Sequence, residues 1–396
     1  MSFGTADLSS LWAIKEVTWG VTPGSGNLKG LRLLSESLNA NLETKSSEEI
    51  RADRATADLV PVGQSAGGGF GFEMSFGSFD DLIAGALFSS FSADVAIVGV
   101  AGDISTVNAT GKITSTTAGK FTDLELGQSF RLKGFSNGGG ENNLIYKIVT
   151  YTSDQDITVV PVPPSDETPA GVAAEIHSES VKNGVTQSSF SIERRIPDAT
   201  VPEFFQFEGS VLQSMTMDFE VGDILKGAFE FLCKDGDSTT TAYTGLTDVP
   251  VPTSDIYNSV NNLSNIYIDG VLSTQQFMKL GMSIGNNLRS QKAIGSLPAI
   301  GIGAGFIDIT GPIEIYFQDG AEFTKFKANT AFSLSFSLED ASGNAYVFSF
   351  PKVKYENLVA NAEGRSSDII AKGNWRAIID PAESIMIRID KLDSSL

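Results

Sequence analysis

The feature that most constrains this chain is a two-residue period of apolar side chains that recurs along its length. Phe70, Phe72, Met74 and Phe76 alternate with Gly71, Glu73 and Ser75. Met215, Met217, Phe219 and Val221 alternate with Thr216, Asp218 and Glu220. Phe332, Leu334, Phe336 and Leu338 alternate with Ser333, Ser335, Ser337 and Glu339, and Ile385, Ile387 and Ile389 are spaced by Met386 and Arg388. Successive strand side chains point to opposite faces, so each run predicts a strand with one apolar and one polar face. Gly-, Ser- and Asn-rich turns separate the runs. The expected fold class is all-β, a sandwich or a barrel.

Two segments read as helix. Ser78-Phe79-Asp80-Asp81 precedes Leu82–Leu87, and Asp319-Gly320-Ala321-Glu322 precedes Phe323–Phe326. In each, a capping residue is followed three positions later by a carboxylate, which predicts a capping box. The acids Asp80 and Asp81 are read as dipole partners of a first turn rather than as a catalytic pair.

The alternating runs are also related to each other. Ser37–Leu42 matches Ser283–Leu288 at an offset of 246, and Phe72–Phe76 matches Ile313–Phe317 at 241. The capping residues keep the second offset. Ser189–Glu193 matches Ser335–Glu339 at 146, and Asp223–Phe229 matches Asp368–Trp375 at 145, then 146. Five matches in one order indicate a duplication. The fall from 241 to 146 gives the first copy 95 residues that the second lacks. The expected organisation is therefore a discontinuous first copy (1–94 and 186–245), an inserted exterior β-domain on the first copy (95–185) and a second copy (246–396).

Several chemistries are disfavoured. One Cys and one His among 396 residues exclude a disulfide framework and a zinc site built from those ligands. Gly67-Gly68-Gly69-Phe70-Gly71 and Gly301-Ile302-Gly303-Ala304-Gly305 lead into strands and lack the nucleotide-binding spacing, so they read as turns or close backbone packing. Asp235-Gly236-Asp237 lacks the downstream acid of a calcium loop. Cys233 reads as a small hydrophobe, and His177 has no partner motif for metal or nucleophile. No catalytic residue, metal or cofactor is expected. Asn108 and Asn262 stand in sequons that lose meaning without secretion, and Met1–Asp7 lacks the pattern of a secretory leader. The stretches near Val95–Gly102 and Leu297–Ile307 fall short of the roughly 18 to 20 apolar residues of a membrane helix. A soluble protein with no membrane partner is expected. The net charge of −20 argues against a surface that grips nucleic acid.

The order of segments resembles a known family. A strand over Leu33–Lys45 is followed by the charged stretch Ser46–Asp58, a Gly-rich strand over Gly67–Phe76 and the helix after Phe79. An insert follows, then the returning strand Ser188–Arg194, Phe207-Glu208-Gly209 and Gly227–Phe231. This resembles the tail tube (major tail) proteins of long flexible-tailed phages, with Glu48-Glu49-Ile50-Arg51-Ala52-Asp53-Arg54 as its most distinctive part.

With the repeat, the resemblance implies two tandem related β-sandwich tube domains, each with one flanking short helix, plus a small inserted β-domain. It implies a structural virion protein, not an enzyme. Its rings stack into the conduit for DNA ejection, and it is assembled in the bacterial host cytoplasm. The duplication then implies a homotrimeric, pseudo-hexameric ring with the insert outside. Partners implied are further copies of itself, other tail proteins at the tube ends, and double-stranded DNA that passes without sticking. Closing a ring removes the edge strands that an isolated sandwich exposes. Thr44–Asp58 is expected to be poorly ordered alone and to fold on a neighbouring ring, with Glu48, Glu49, Arg51, Asp53 and Arg54 as contacts, and Arg289–Ala299 is its shorter equivalent. Glu43, Glu73, Glu314 and Glu339 are candidates for the lumen, where carboxylates repel phosphate. The alternatives are a baseplate or carbohydrate-binding adhesin module, which would cluster Trp12, Trp19 or Trp375, and a β-rich hydrolase with two facing carboxylates.

Overall fold

The computed structural model describes residues 3–171, 173–362 and 364–395. Met1 and Ser2, part of the leader reading, lie outside the described residues. The chain opens with a 3-10 turn at Ala6–Leu8, then β1 (Ser10–Lys15), β2 (Gly26–Leu31), β3 (Ser35–Glu36), β4 (Asn39–Ser46), β5 (Leu59–Glu73) and the helix α1 (Asp80–Ala86). The next seven strands are β6 (Ile97–Val98), β7 (Ile104–Val107), β8 (Lys112–Ser115), β9 (Ser129–Lys133), β10 (Ile145–Ser153), β11 (Asp156–Val160) and β12 (Glu175–His177). Then come β13 (Glu179–Lys182), β14 (Ser189–Ile196), β15 (Glu203–Glu220), β16 (Lys226–Cys233), β17 (Asp235–Thr239) and β18 (Leu246–Val249). The second half holds β19 (Leu263–Ile268), β20 (Val271–Leu272), β21 (Phe277–Gly285), β22 (Arg289–Gln291), β23 (Gly301–Gly303), β24 (Asp308–Tyr316) and the helix α2 (Ala321–Lys327). It closes with β25 (Phe332–Glu339), β26 (Ala345–Asn361), β27 (Ile370–Ala377) and β28 (Arg388–Leu392). The fold is all-β with two short helices.

In the first half, one layer runs β2–β1–β14–β15–β17 and the other runs β4–β5–β16–β15. The long strand β15 serves both layers, bending at Gly209 (φ +60°) and at a register break between Leu212 and Ser214. A bulge is how a strand turns a corner without losing its ladder. The second half repeats this plan, with β26 as the shared strand between β19–β25–β26–β28 and β21–β24–β27–β26. One apolar cluster, from Leu11 to Ile389, fills both halves. Aromatic rings carry much of it: Phe72 packs on Phe79 and Phe229 at 4.5 and 4.6 Å between centroids, and Phe350 on Trp375 at 4.7 Å.

The registers of the two halves run in step. Gly227 of β16 faces Phe72 of β5, and Gly373 of β27 faces Ile313 of β24. Asn39 faces Gly67, and Gly285 faces Asp308. The helices α1 and α2 are seven residues each, and Asp80 and Ala321 begin them 241 apart.

The seven strands β6–β12 form a separate sheet in the order β6-β12-β9-β10-β11-β8-β7, with its own apolar cluster of Ile104, Ile113, Phe121, Phe130, Tyr146 and neighbours. β13, which lies before residue 185, pairs instead with β28 in the main sheet. The insert was expected on the first copy. It docks mainly on the second half, because β28 and β26 offer it a half-apolar face. Ile145 packs on Ala345, Val347 and Leu392, the Ser129 amide donates to Asp390 Oδ2 at 2.8 Å, and Arg388 donates to Glu125 at 2.8 Å.

That docking corrects the reading of the polar faces. Ser335, Ser337, Arg388 and Asp390 are buried, because the insert covers the side of these strands that alternation assigned to solvent. Neither capping box forms. Phe79 and Gly320 occupy the N-cap positions, and neither makes a side-chain cap. Ser78 bonds Ser75, Asp81 pairs with Lys29, and buried Glu322 accepts from Tyr355 at 2.7 Å and Gln275 at 2.9 Å. Only Asp319 acts locally as a cap, taking the Ala321 N–H at 2.8 Å. Leu33–Lys45 is not one strand but β3 and β4, and Val221 lies beyond β15, exposed.

Candidate functional site

The surface that distinguishes this fold is a sheet running through both halves in the order β4-β5-β16-β15-β21-β24-β27-β26. Its centre is the ladder between β15 and β21, from Ser214 opposite Gly285 to Glu220 opposite Lys279. One side of this sheet is the apolar core. The other side carries the polar residues of the alternating runs in β5 and β15 and of the strands between and beside them.

Cross-strand register arranges those polar residues as a lattice of alternating sign. Glu73 faces Lys226, and Lys226 faces Asp218. One row along, Glu220 faces Lys279, Lys279 faces Glu314, and Glu314 faces Lys372. Directly opposed unlike charges on a sheet contribute about 0.2–1 kcal/mol each. The Glu220 carboxylate, hydrogen-bonded to Lys279, holds that ammonium above its ordinary range. Arg376 similarly takes both Asp308 and Glu356. Sequence reading found the acids and missed these cations, because only strand register shows that Lys226 and Lys279 each stand between two carboxylates.

Glu73 and Glu314 therefore share one open face. Glu43 lies on β4 toward the arm formed by residues 47–58 and pairs with Lys292 at 2.6 Å. Glu339 is apart from all three, since it sits on β25 and meets Arg131 of the inserted sheet at 3.3 Å. The fold does not gather the four carboxylates into one site.

The charged stretch is the tip of a hairpin. β4 and β5 pair out to Ser46 opposite Leu59, and the Ser47 amide donates to Asp58 O at 2.9 Å. Thr44–Ser46 thus belong to a strand rather than to an irregular segment. Residues 48–58 are all exposed, and Ile50 is wholly so. Of the five candidate contacts, the fold joins only Arg51 and Asp53, at 2.8 Å; the guanidinium lowers the carboxyl's pKa. Arg54 takes a left-handed turn conformation, φ +62°. A shorter hairpin, β22–β23, occupies the corresponding place in the second half.

The Gly-rich entry into β5 is a packing device. Gly68 has φ +120°, and a Cβ there would lie 2.3 Å from Ser37 O. Only glycine admits so close a backbone. Asp80 accepts from Tyr346 and pairs with Lys391 at 3.2 Å, so it holds the two halves together. Cys233 is buried, and burial pushes its thiol up to about 12. His177 Nδ1 lies 2.8 Å from Asp94 Oδ2. Trp375 is buried, while Arg195 covers Trp12 and Lys234 covers Trp19. Among the described residues, no cluster of three His, Cys, Asp or Glu could hold a metal, and no helix is long and apolar enough to cross a membrane.

The sheet ends in two open edges. Among the described residues, β3 and β4 pair only with β5, and Lys354–Asn361 of β26 pairs only with β27. Open edges with exposed apolar side chains are templates for further pairing.

A family model for phage tail tube proteins matches residues 6–377. No curated protein matches the chain significantly.

Proposed function

The chain belongs to the phage tail tube protein family, virion components that self-assemble into a tube, and from that premise we propose that three copies close a pseudo-sixfold ring whose stacking makes the conduit for DNA ejection. The observation that carries this reading is the β15–β21 ladder. It joins two halves of like topology edge to edge inside one chain and leaves one complementary edge at each end. The shared offsets and registers support a duplicated tube domain, because chance similarity of strands would not keep Gly227 and Gly373 in equivalent pairings.

The open polar face of the eight-strand sheet is the lumen in this reading. Its lattice of Glu73, Lys226, Asp218, Lys279 and Glu314 leaves each cation between carboxylates, so phosphate finds no unopposed positive patch. Residues 48–58 project to contact the next ring, with the β22–β23 hairpin as a second, shorter contact. The inserted sheet, docked by β28, lies outside, and other tail proteins meet the tube at its ends. Electron microscopy of the purified protein tests the reading. Stacked rings of three subunits and six similar lobes are expected, and a monomer at all concentrations would refute it.

A further inference from the structure

The two helices stand at equivalent positions, yet their surroundings differ. Beside α1, Leu82 is 3% exposed and Tyr257 0%. Beside α2, Phe317 and Phe323, 241 residues after Phe76 and Leu82, are 43% and 44% exposed. The second half of the chain packs beside α1, where the Asn286 amide donates to Ala86 O at 3.0 Å. Phe336 packs on Phe219 at 5.4 Å, and Tyr346 on Phe76 at 5.1 Å. The segment before β19 inserts Tyr257, whose N–H donates to Met74 O and whose carbonyl accepts the Leu225 N–H, both at 2.9 Å.

The first half carries the matching deficit. Leu280 of β21 is 1% exposed because it faces Phe219, while Leu34, 246 residues earlier, is 52% exposed. Before β1, Phe3 and Leu8 are exposed too. This N-terminal segment is already held as the segment before β19 is held. Thr5 donates to Asp198 at 2.8 Å, and Tyr257 donates to Asn344, 146 residues after Asp198, at 3.5 Å.

We infer that neighbouring copies join by repeating the internal junction in the same register. Thr216 and Asn357 face the equivalent residues Ala228 and Asn374, and Asp218 and Val359 face the equivalent residues Lys226 and Lys372. Asp218 in turn faces Gly281, whose counterpart is Ser35. Leu33–Ser37 of one copy therefore adds antiparallel to Asn357–Asn361 of the next, with Ser35 opposite Val359 and Leu34 opposite Ala360. The N-terminal segment around Leu8 covers the groove of about 100 Å³ beside α2, lined by Ile315, Phe317, Phe323, Leu358, Ala360 and Ala371. It enters by side chains alone, because β24 and β27 stay paired through Tyr316 and Ile370 where their counterparts part around Tyr257. This inference rests on the ring reading and adds to it the contacting residues and their register.

Full-length protein carrying Ser35→Cys and Val359→Cys tests the register, since directly opposed strand residues suit a disulfide. Oxidation of assembled tubes should link chains into covalent oligomers. The pair Ser37→Cys and Val359→Cys, two residues out of register, should not. Linkage by the second pair, or by neither in tubes seen intact by microscopy, overturns the inference and leaves the ring reading standing. Wild-type protein that forms no rings overturns the ring reading itself. As a check independent of disulfides, Leu34→Glu and Phe323→Glu should each abolish rings while leaving the melting temperature of the single chain unchanged. Normal tubes from both variants would also overturn the inference.

Discussion

The α1 side and the α2 side of this molecule are the same construction met twice, once finished and once not. Leu82 and Phe323 occupy corresponding helix positions, but the first is 3% exposed and the second 44%. Leu280 and Leu34 show the same contrast at the other end of the sheet. Burial here is set by whether another unit follows, as in repeat architectures where each unit is completed by its neighbour. In the proposed ring, the exposed apolar residues Phe317 and Phe323 of the second half face the next copy.

This contrast can be broken most strongly at the helices. Leu82→Ala should destabilise the single chain by about 2–5 kcal/mol, as large-to-small core changes do. Phe323→Ala should change it by less than about 0.5 kcal/mol. Chemical denaturation of both variants below the assembly concentration checks this, and equal losses would end the comparison. A smaller effect is expected at Glu16, a buried carboxylate that accepts from Gly20 N–H, Ser189 Oγ, Ser191 Oγ and Gly209 N–H at 2.6–2.8 Å. The second half has Ile266 near the corresponding place. Glu16→Ala should cost on the order of 1–3 kcal/mol by stranding those donors, whereas Ile266→Ala strands none.

A further asymmetry lies in the edge strands β17 and β28. β17 is mostly open, whereas β28 is buried under the insert. Burial pushes the Asp390 carboxyl up to about 7, against the pull of Arg388. In the unfolded chain the same group ionises near pH 4. The folded state therefore holds the extra proton between these values. The stability from this group is complete below about pH 4 and is lost as pH rises through about 7. Asp390→Asn should flatten that part of the stability–pH curve, measured by denaturant midpoints from pH 4 to 8. The smallest effect on the fold is expected at the arm. Replacing residues 48–57 by a short Gly-Ser turn should leave the melting temperature within a degree or two and single rings intact, while stacking seen by microscopy is lost.

Much of this was legible because alternation is a local signal. Phe332, Leu334, Phe336 and Leu338 fall on one buried face as their spacing requires, and both helices lie where their segments were read. The capping boxes failed because Ser78, Asp81 and Glu322 found tertiary partners in Ser75, Lys29, Tyr355 and Gln275. Glu339 stands apart from Glu73 and Glu314 because it sits on β25, where Arg131 arrives from the insert.

Alternation and self-similarity already place most apolar strand faces and the offsets between related runs in the sequence, since both are read from residues close in the chain or from matches between segments. Only the tertiary structure decided that β15 pairs with β21, that the insert rests on β28, and which cations stand between the open-face acids. Strand register and docking depend on residues far apart in sequence, and alternation is indifferent to which strand lies alongside.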